Sequence, residues 1–267
     1  MSARPKITPE PKEKTKAAQR AAGRVLYLYA IAKVPKGPLP SIVAEGIDGS
    51  AAIEGIVREG HVCWISRVPR DQFADGLAER MQDLEWLASA GLRHQRAVGE
   101  IAAKLTSLPA RFGTVFLNED SMAQHLSARK SVLRAAFKRV AEADEWGIKV
   151  FAVAPKKGSP AVTAVSGSDY LKKKAEVLRP QPSKTLDRDV RSLIASLDGL
   201  AVASSPGGKA SAGQPGLIWH GSFLIRRKDG AKLEGILKKY AIKWHGSRRI
   251  DWSGPWPPYS FVGDHVH

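Results

Sequence analysis

Short strand-like runs alternate with helix-like periodic segments along this chain, and this alternation limits the fold more than any other feature of the sequence. The most apolar run, Val25–Val34, has ten residues and is followed by Pro35. A membrane-spanning helix needs about 20 apolar residues, so this run is too short to cross a bilayer. Its β-branched and aromatic side chains predict a buried strand. We therefore expect a soluble protein that has no membrane partner.

Residues 25–117 follow the order strand, hairpin, helix, strand. Two of the strands are predicted over Ile53–Glu59 and His61–Arg67, and Gly60 between them predicts a tight turn. A helical period follows, and Gly91 is expected to interrupt it. A further strand then ends the segment. This order is close to that of a ferredoxin-like α+β unit.

Residues 118–267 predict a second α+β unit. Asn118 is a helix N-cap followed by acidic Glu119, and Gly147 is expected to end that helix. The elements expected after it are a strand over Ile148–Val153, helices over Tyr170–Leu178 and Thr185–Leu200, a flexible loop over Ser204–Gly216, a strand over Leu217–Arg227, a helix over Gly230–Tyr240 and a strand over Ile242–Trp252. The sequence thus predicts the α+β class with two domains, 25–117 and 118–267, preceded by a disordered basic arm over 1–24.

The end of the chain, about 253–267, is predicted to be a docking tail. Three Pro and four aromatic residues occur between Trp252 and Val262. Prolines stiffen such a segment and its rings offer large apolar area, so Trp256, Tyr259 and Phe261 are candidate contact residues. Their groove lies on the same chain or on a partner, and we favour packing within the chain because soluble proteins seldom leave such a patch uncovered.

The chain is strongly basic, with 42 Lys and Arg against 26 Asp and Glu and a formal net charge of +16. Such a field attracts polyanions or acidic protein surfaces without choosing among them. Lys130, Arg134 and Lys138 recur at four-residue intervals and form a basic stripe on the predicted helix. The alternative hypothesis is therefore a non-specific nucleic-acid-binding protein that uses the basic arm and the basic C-terminal domain, although no helix-turn-helix, RNP-type aromatic motif or zinc finger supports it.

A search for catalytic chemistry is negative. The sequence has no GxGxxG, GxSxG or HExxH motif, and its single cysteine, Cys63, allows no internal disulfide. We therefore expect a protein without enzyme activity, cofactor or metal. The single cysteine fits a location in the reducing cytoplasm. We expect a strand over Arg111–Phe116, which overlaps the run Leu108–Thr114. Arg111 in this run either braces two segments of the chain or binds a carboxylate.

Five landmarks between Tyr27 and Phe261 resemble the gas vesicle accessory family GvpF/GvpL. In order they are Tyr27–Ile31, Leu108–Thr114, Glu145–Val150, Gly167–Leu171 with its lysine run, and Gly254–Phe261. The resemblance covers nearly everything from Val25 onward. It implies a two-domain α+β accessory protein that associates with the gas vesicle shell protein GvpA, alone or together with other accessory proteins, and helps vesicle assembly. It brings no catalytic residues.

A physical argument leads to the same hypothesis. A shell that holds gas must present an apolar face inward, so its subunit is prone to aggregate before assembly, and a protein that binds this subunit favours the soluble species by mass action. We expect the basic stripe to attract acidic parts of the shell subunit or of other accessory proteins, while aromatic side chains supply short-range contact.

Overall fold

The computed structural model describes residues 23–153, 188–207 and 214–262. The predicted basic arm as far as residue 22, the predicted helix Tyr170–Leu178 and the tail beyond Val262 lie outside the described residues. The described chain divides into two compact units, one ending at Phe137 and the other beginning at Lys138. Each unit has an antiparallel sheet and helices, which confirms the α+β class.

The first unit is built on a five-stranded antiparallel sheet. Its strands are β1 (Arg24–Lys33), β2 (Glu54–Arg58), β3 (His61–Pro69), β4 (Ser107–Pro109) and β5 (Val115–Phe116). The sheet order is β2-β3-β1-β4, and β5 also pairs with β1. Glu59 and Gly60, which join β2 and β3, have positive φ angles of 48° and 75°. A two-residue turn with these angles matches the twist of the flanking strands, so the predicted hairpin is confirmed.

The described helices of the first unit are α1 (Leu77–Arg80), α2 (Leu84–Lys104), α3 (Glu119–Ala128) and α4 (Lys130–Arg139), preceded by a π-helical turn over Asp71–Asp75. The prediction that Gly91 interrupts a helix is wrong, because α2 runs through it. The chain breaks instead at Asp83, whose carboxylate accepts hydrogen bonds from the backbone N–H groups of Glu85 (3.0 Å) and Trp86 (3.1 Å). The cap at Asp83 therefore fixes where α2 begins, whereas one glycine inside a long helix costs only about 1 kcal/mol and does not end it.

The central strand β1 is buried on both faces of its sheet. Its eight inner residues, 25–32, are all buried. On one face, His94 of α2 packs against the rings of Tyr27 and Tyr29, with centroids 5.7 Å and 5.9 Å apart. Successive side chains of a strand point to opposite faces, so the second face of β1 and β3 needs its own cover.

Helices α3 and α4 supply that cover. Glu119 of α3 pairs with Arg67 of β3 (2.5 Å) and with Arg58 of β2, and Phe137 of α4 stacks on His61 with centroids 5.4 Å apart. The hydrogen bond from Arg67 holds the pKa of Glu119 below its usual value against the opposing effect of partial burial. These contacts join both helices to the sheet of the first unit, and the division between the two units falls within α4, after Phe137.

The start of α3 is a capping box, as the sequence predicts from Asn118. Its side chain accepts a hydrogen bond from the backbone N–H of Ser121 (2.8 Å), and the Ser121 hydroxyl accepts one from the Asn118 N–H (3.2 Å). We expect Asn118→Ala to lower the free energy of unfolding by about 1 kcal/mol in urea titrations, and Asn118→Ser to retain most of it. Equal stability of the alanine variant and the parent would contradict this.

The second unit has a four-stranded antiparallel sheet with two helices among its described residues. The elements are β6 (Ala143–Ala152), α5 (Arg188–Asp198), β7 (Ala203–Pro206), β8 (Leu217–Arg226), α6 (Gly230–Lys243) and β9 (Arg248–Trp256). The sheet order is β7-β8-β6-β9. Both helices pack on one face of the sheet, where a single apolar core includes Trp146, Ile148, Val150, Val190, Leu193, Leu197, Phe223, Ile225, Leu233, Leu237, Trp244 and Ile250.

Three boundaries predicted for this unit are wrong. The helix expected to end at Gly147 ends at Arg139, because Glu142 turns the chain with a positive φ of 54° and β6 begins immediately after it. The predicted loop over Ser204–Gly216 begins as strand β7, paired with β8. The last strand starts at Arg248 rather than Ile242, because α6 continues to Lys243 and buries Trp244 directly after its end.

Candidate protein-interaction surfaces

Arg111 lies in an exposed turn between β4 and β5. The backbone N–H of Thr114 (3.1 Å) and the Thr114 hydroxyl (2.8 Å) both donate to the carbonyl of Arg111. Gly113 has a φ of 84°, a conformation that L-residues with side chains rarely adopt. The strand predicted over Arg111–Phe116 is therefore wrong for its first half, where the turn presents the Arg111 side chain at the surface of the first unit.

A buried hydrogen-bond network holds this turn from beneath. The Gly113 N–H donates to the Tyr27 hydroxyl (3.1 Å), which lies 2.9 Å from Nδ1 of His94, and Nε2 of His94 lies 3.2 Å from the carbonyl oxygen of Ala110. One tautomer satisfies every atom: the Tyr27 hydroxyl donates to Nδ1, and Nε2–H donates to Ala110. Burial lowers the pKa of His94 to about 4, so the ring is neutral at physiological pH.

Aromatic rings and a second arginine surround the turn. The ring of Phe112 meets Trp86 edge to face at 6.1 Å, and the guanidinium of Arg80 lies 5.1 Å from the centroid of Trp86. We call Arg80, Trp86, Arg111 and Phe112 the aromatic–arginine surface. Trp and Arg are the residue types that most often dominate binding energy at protein interfaces. The sequence does not predict Arg80, Trp86 or Phe112 as contact residues, because they come together only through the fold of α1, α2 and the turn.

Two large apolar side chains near this surface in the sequence are exposed. Leu84, at the start of α2, is 78% exposed, and Met81 is 43% exposed. Single exposed apolar side chains are normal on protein surfaces, so these two residues are not counted as part of the aromatic–arginine surface. The aromatic–arginine surface itself is therefore the best candidate for protein contact in the first unit.

The predicted basic stripe lies on α4. Lys130, Arg134 and Lys138 are all exposed, and the boundary between the two units falls between Arg134 and Lys138. The ammonium of Lys130 pairs with Glu59 at 2.8 Å, so part of its charge is compensated. Within the described chain Arg134 and Lys138 have no ion-pair partner. The helix therefore offers two uncompensated cations rather than three.

The three aromatic residues predicted in the tail have different surroundings. Phe261 is buried at 4% exposure, Tyr259 is half-buried and Trp256 is 42% exposed. Burial, together with the nearby charge of Glu145, raises the pKa of Tyr259. The structure thus separates an anchored part of the tail from an exposed indole, a distinction that the composition of the segment does not give.

The family comparison is decisive for the class of protein. Residues 25–263 match the family model described as gas vesicle synthesis protein GvpL/GvpF, a range that spans nearly the whole chain. The chain belongs to the GvpL/GvpF family. This is a family of gas vesicle proteins.

Similar proteins cover most of the chain. A gas vesicle protein L of Streptomyces sp. (strain CB03234) is 28% identical over 263 residues, which is 90% of this chain and 93% of that protein. The crystal structure of GvpF from Anabaena sp. PCC7120 has a TM-score of 0.64 at 20% identity, over 90% of this chain and 96% of that one. GvpF from Microcystis aeruginosa has a TM-score of 0.62 at 19% identity, over 90% and 99%. The GvpL/GvpF chain described here therefore shares their fold.

Other site types are not found in the described part of this GvpL/GvpF protein. No group of three or more His, Cys, Asp or Glu side chains in residues 23–153, 188–207 and 214–262 could hold a metal ion. Cys63 is buried, and burial raises the pKa of its thiol to about 12, so it is a poor nucleophile. Among the described helices, none has the length and apolar character needed to cross a bilayer.

Proposed function

We propose that this protein is a gas vesicle accessory or minor structural protein that binds the shell protein GvpA, limits its aggregation and assists vesicle nucleation and assembly. The observation that carries the proposal is the match to the gas vesicle synthesis family over residues 25–263. The protein acts in the cytoplasm and at the gas vesicle. We infer that its first unit is a ferredoxin-like variant and that the tail contributes to docking.

The surfaces described above suit this role in physical terms. A partner with an exposed apolar face needs an apolar contact, which Trp86 and Phe112 offer in the first unit. Exposed cations add long-range attraction to acidic parts of the partner but little affinity each, because surface ion pairs contribute about 0–1 kcal/mol. We therefore assign short-range affinity to the aromatic–arginine surface and the rate of encounter to Arg134 and Lys138 of the basic stripe.

This assignment predicts different effects for the two surfaces. The tagged chain is made together with GvpA, and soluble GvpA that co-purifies with it is measured. We expect Trp86→Ala to reduce co-purified GvpA about tenfold or more, because an anchor side chain in an interface is worth about 2 kcal/mol. Arg134→Gln with Lys138→Gln should reduce it about threefold at low salt and hardly at all at high salt.

Arg226→Gln with Lys228→Gln is the matched control, since it removes the same charge from exposed positions at the end of β8. It should leave co-purification unchanged. Unfolding curves must show that each variant is folded. If GvpA remains in the insoluble fraction to the same extent with and without the chain, the proposed function is wrong. If salt has no effect on binding, the electrostatic part of it is wrong.

The net charge of +16 supports one competing function, non-specific binding to nucleic acid. Its test is a gel shift with random-sequence duplex DNA, using the full chain and a chain that lacks residues 1–24. A nucleic-acid-binding protein would bind tightly, lose affinity steeply with salt and depend on the basic arm. We expect weak binding that disappears near physiological salt.

A further inference from the structure

The second unit has a sheet face that its helices leave open. The core side chains of β6, β8 and β9 alternate with a second set, which points away from α5 and α6. These side chains form three rows across the sheet. From the tail end outward the rows are Ser222, Gly147 and Ser253, then His220, Lys149 and Asp251, then Phe151 and Arg249. No helix covers these rows within the described residues.

The open face is a groove and not a flat surface. The tail lies beside one end, where the Ser260 hydroxyl is 3.4 Å from that of Ser222, and Ser260 donates to both carboxylate oxygens of Glu145 through its backbone N–H (2.8 Å) and its hydroxyl (2.6 Å). The groove has a volume of about 570 Å³, and we call the small row of Ser222, Gly147 and Ser253, which is part of its lining, the floor. Sites that bind small ligands or short peptide segments have volumes of about 300–1,000 Å³, so the groove has a suitable size.

The polar groups of the groove favour an anionic ligand. Lys149 and Arg249 are cations, and Asp251 is the one carboxylate among the described residues that line the groove. Arg249 uses its Nε on Asp251 (2.9 Å) and lies 4.5 Å from the ring centroid of Phe151. Its other guanidinium N–H groups remain able to donate, because one guanidinium has five donors. Phe151 holds the guanidinium in place by a cation–π contact.

The small floor indicates that a polypeptide backbone fits here. A side chain at Gly147 would fill the space above the floor: a Cβ there would lie 3.3 Å from the Ser253 hydroxyl and meet nothing else within the tight range. The hydroxyls of Ser222 and Ser253 flank it and can donate to backbone carbonyls. A narrow groove of this volume on a sheet face excludes a nucleic-acid duplex, which would need a broad basic surface.

From this geometry we propose that the groove binds an extended acidic peptide segment of a partner protein, with the segment's backbone over the Ser222–Gly147–Ser253 floor and its carboxylates on Lys149 and Arg249. The site lies in the second unit and is distinct from the aromatic–arginine surface. It does not depend on which partner protein supplies the segment, so it can be tested separately from the binding of GvpA.

The test uses the full chain and a synthetic probe, an acetylated and amidated peptide of alternating Ala and Glu, with an Ala and Gln peptide as its neutral counterpart. Binding is followed by calorimetry at low salt. We expect the acidic peptide to bind at least tenfold more tightly than the neutral one. Lys149→Gln with Arg249→Gln should weaken binding about tenfold or more, since two charge-assisted contacts are lost.

Two further variants separate the groove from general electrostatics. Gly147→Leu keeps every charge but fills the space above the floor, so it should also weaken peptide binding about tenfold. If Gly147→Leu fails to fold, Ser253→Leu fills the same space from an exposed position and should weaken binding equally. Arg226→Gln with Lys228→Gln should change binding less than twofold. The proposal is overturned if the two filled variants bind normally, if the control pair weakens binding as much as the groove pair, or if inorganic phosphate competes as well as the peptide.

Discussion

Acidification from pH 6.5 to 4 should destabilise the protein by about 3 kcal/mol through one side chain, His94, whose pKa is lowered from 6.5 to about 4 in the folded state. Burial is the cause, because the imidazolium would lose its hydration. The hydrogen bond from Tyr27 also favours the neutral ring, since a proton on Nδ1 would remove the acceptor to which the Tyr27 hydroxyl donates.

The sign of the effect follows from where each state binds the proton. Well above pH 6.5 the ring is neutral in both states and contributes no pH dependence. Below pH 6.5 the imidazole of His94 is protonated in the unfolded chain but stays neutral in the folded chain, so stability falls as pH falls. The loss ends near pH 4, where the folded ring is protonated as well. Between pH 7 and pH 5 about 2 kcal/mol should already be lost, before most carboxylates titrate.

Urea titrations at several pH values measure this loss, with His94→Gln as the decisive variant. Glutamine does not titrate, so the variant should be less stable than the parent at pH 7 but should have a nearly flat profile between pH 7 and pH 5. His61→Gln is the matched control. Its ring lies half-buried on β3, and the variant should keep the steep profile of the parent. A parent profile that is flat in this range would show that His94 is protonated in the folded state at little cost.

His94 also connects stability to binding. The network from His94 through Tyr27 and Gly113 is what fixes the turn that carries Arg111 and Phe112. A loss of this network should therefore disturb the aromatic–arginine surface although His94 itself is buried and touches no partner. The same acidic pH that lowers stability should lower the amount of GvpA that co-purifies, and His94→Gln should do so already at pH 7.

The parts of the fold that the sequence predicts are those set by local pattern. The run that forms β1, the turn at Gly60 and the cap at Asn118 each depend on a few neighbouring residues, and each is found where the sequence predicts it. Single glycines do not predict where these elements end. The sequence predicts that Gly91 interrupts a helix and that Gly147 ends one, yet Gly91 lies inside α2 and Gly147 lies inside β6. Packing of the whole element outweighs the modest cost of one glycine.

The candidate sites needed the fold. The basic stripe follows from a four-residue spacing and could be predicted, but the partner of Lys130, Glu59, is distant in sequence and could not. Trp86 and Arg80 carry no motif and reach Phe112 only because α1, α2 and the turn converge. The groove depends on register, since Gly147 lies between Ser222 and Ser253 only when β6 pairs with β8 and β9 as it does.

The contact between Glu145 and the tail leads to the second large effect that we expect. Glu145 is buried at 8% exposure and accepts two hydrogen bonds from Ser260, and Arg139 donates to the carbonyl of Phe261 (3.2 Å). Hydrogen bonds to a charged group contribute about 1.5–3 kcal/mol, so Glu145→Ala should favour local opening of the tail by about 2 kcal/mol. Phe261 and Val262 would then leave the core in a larger fraction of molecules.

Limited proteolysis with chymotrypsin measures this opening, because cleavage after Tyr259 and Phe261 tracks the population of the open form. Glu145→Ala should be cut about 10- to 30-fold faster than the parent, the factor that corresponds to about 2 kcal/mol. Glu234→Ala, which removes an exposed carboxylate from α6, is the control and should be cut at the parental rate.

Ser260→Ala should be cut at a rate between those of Glu145→Ala and the parent, since the Ser260 N–H still bonds to Glu145. Because both bonds end on one carboxylate, adding Ser260→Ala to Glu145→Ala should bring no further increase. An additive increase would mean that the Ser260 hydroxyl holds the tail through a partner other than Glu145, such as the Ser222 hydroxyl 3.4 Å away.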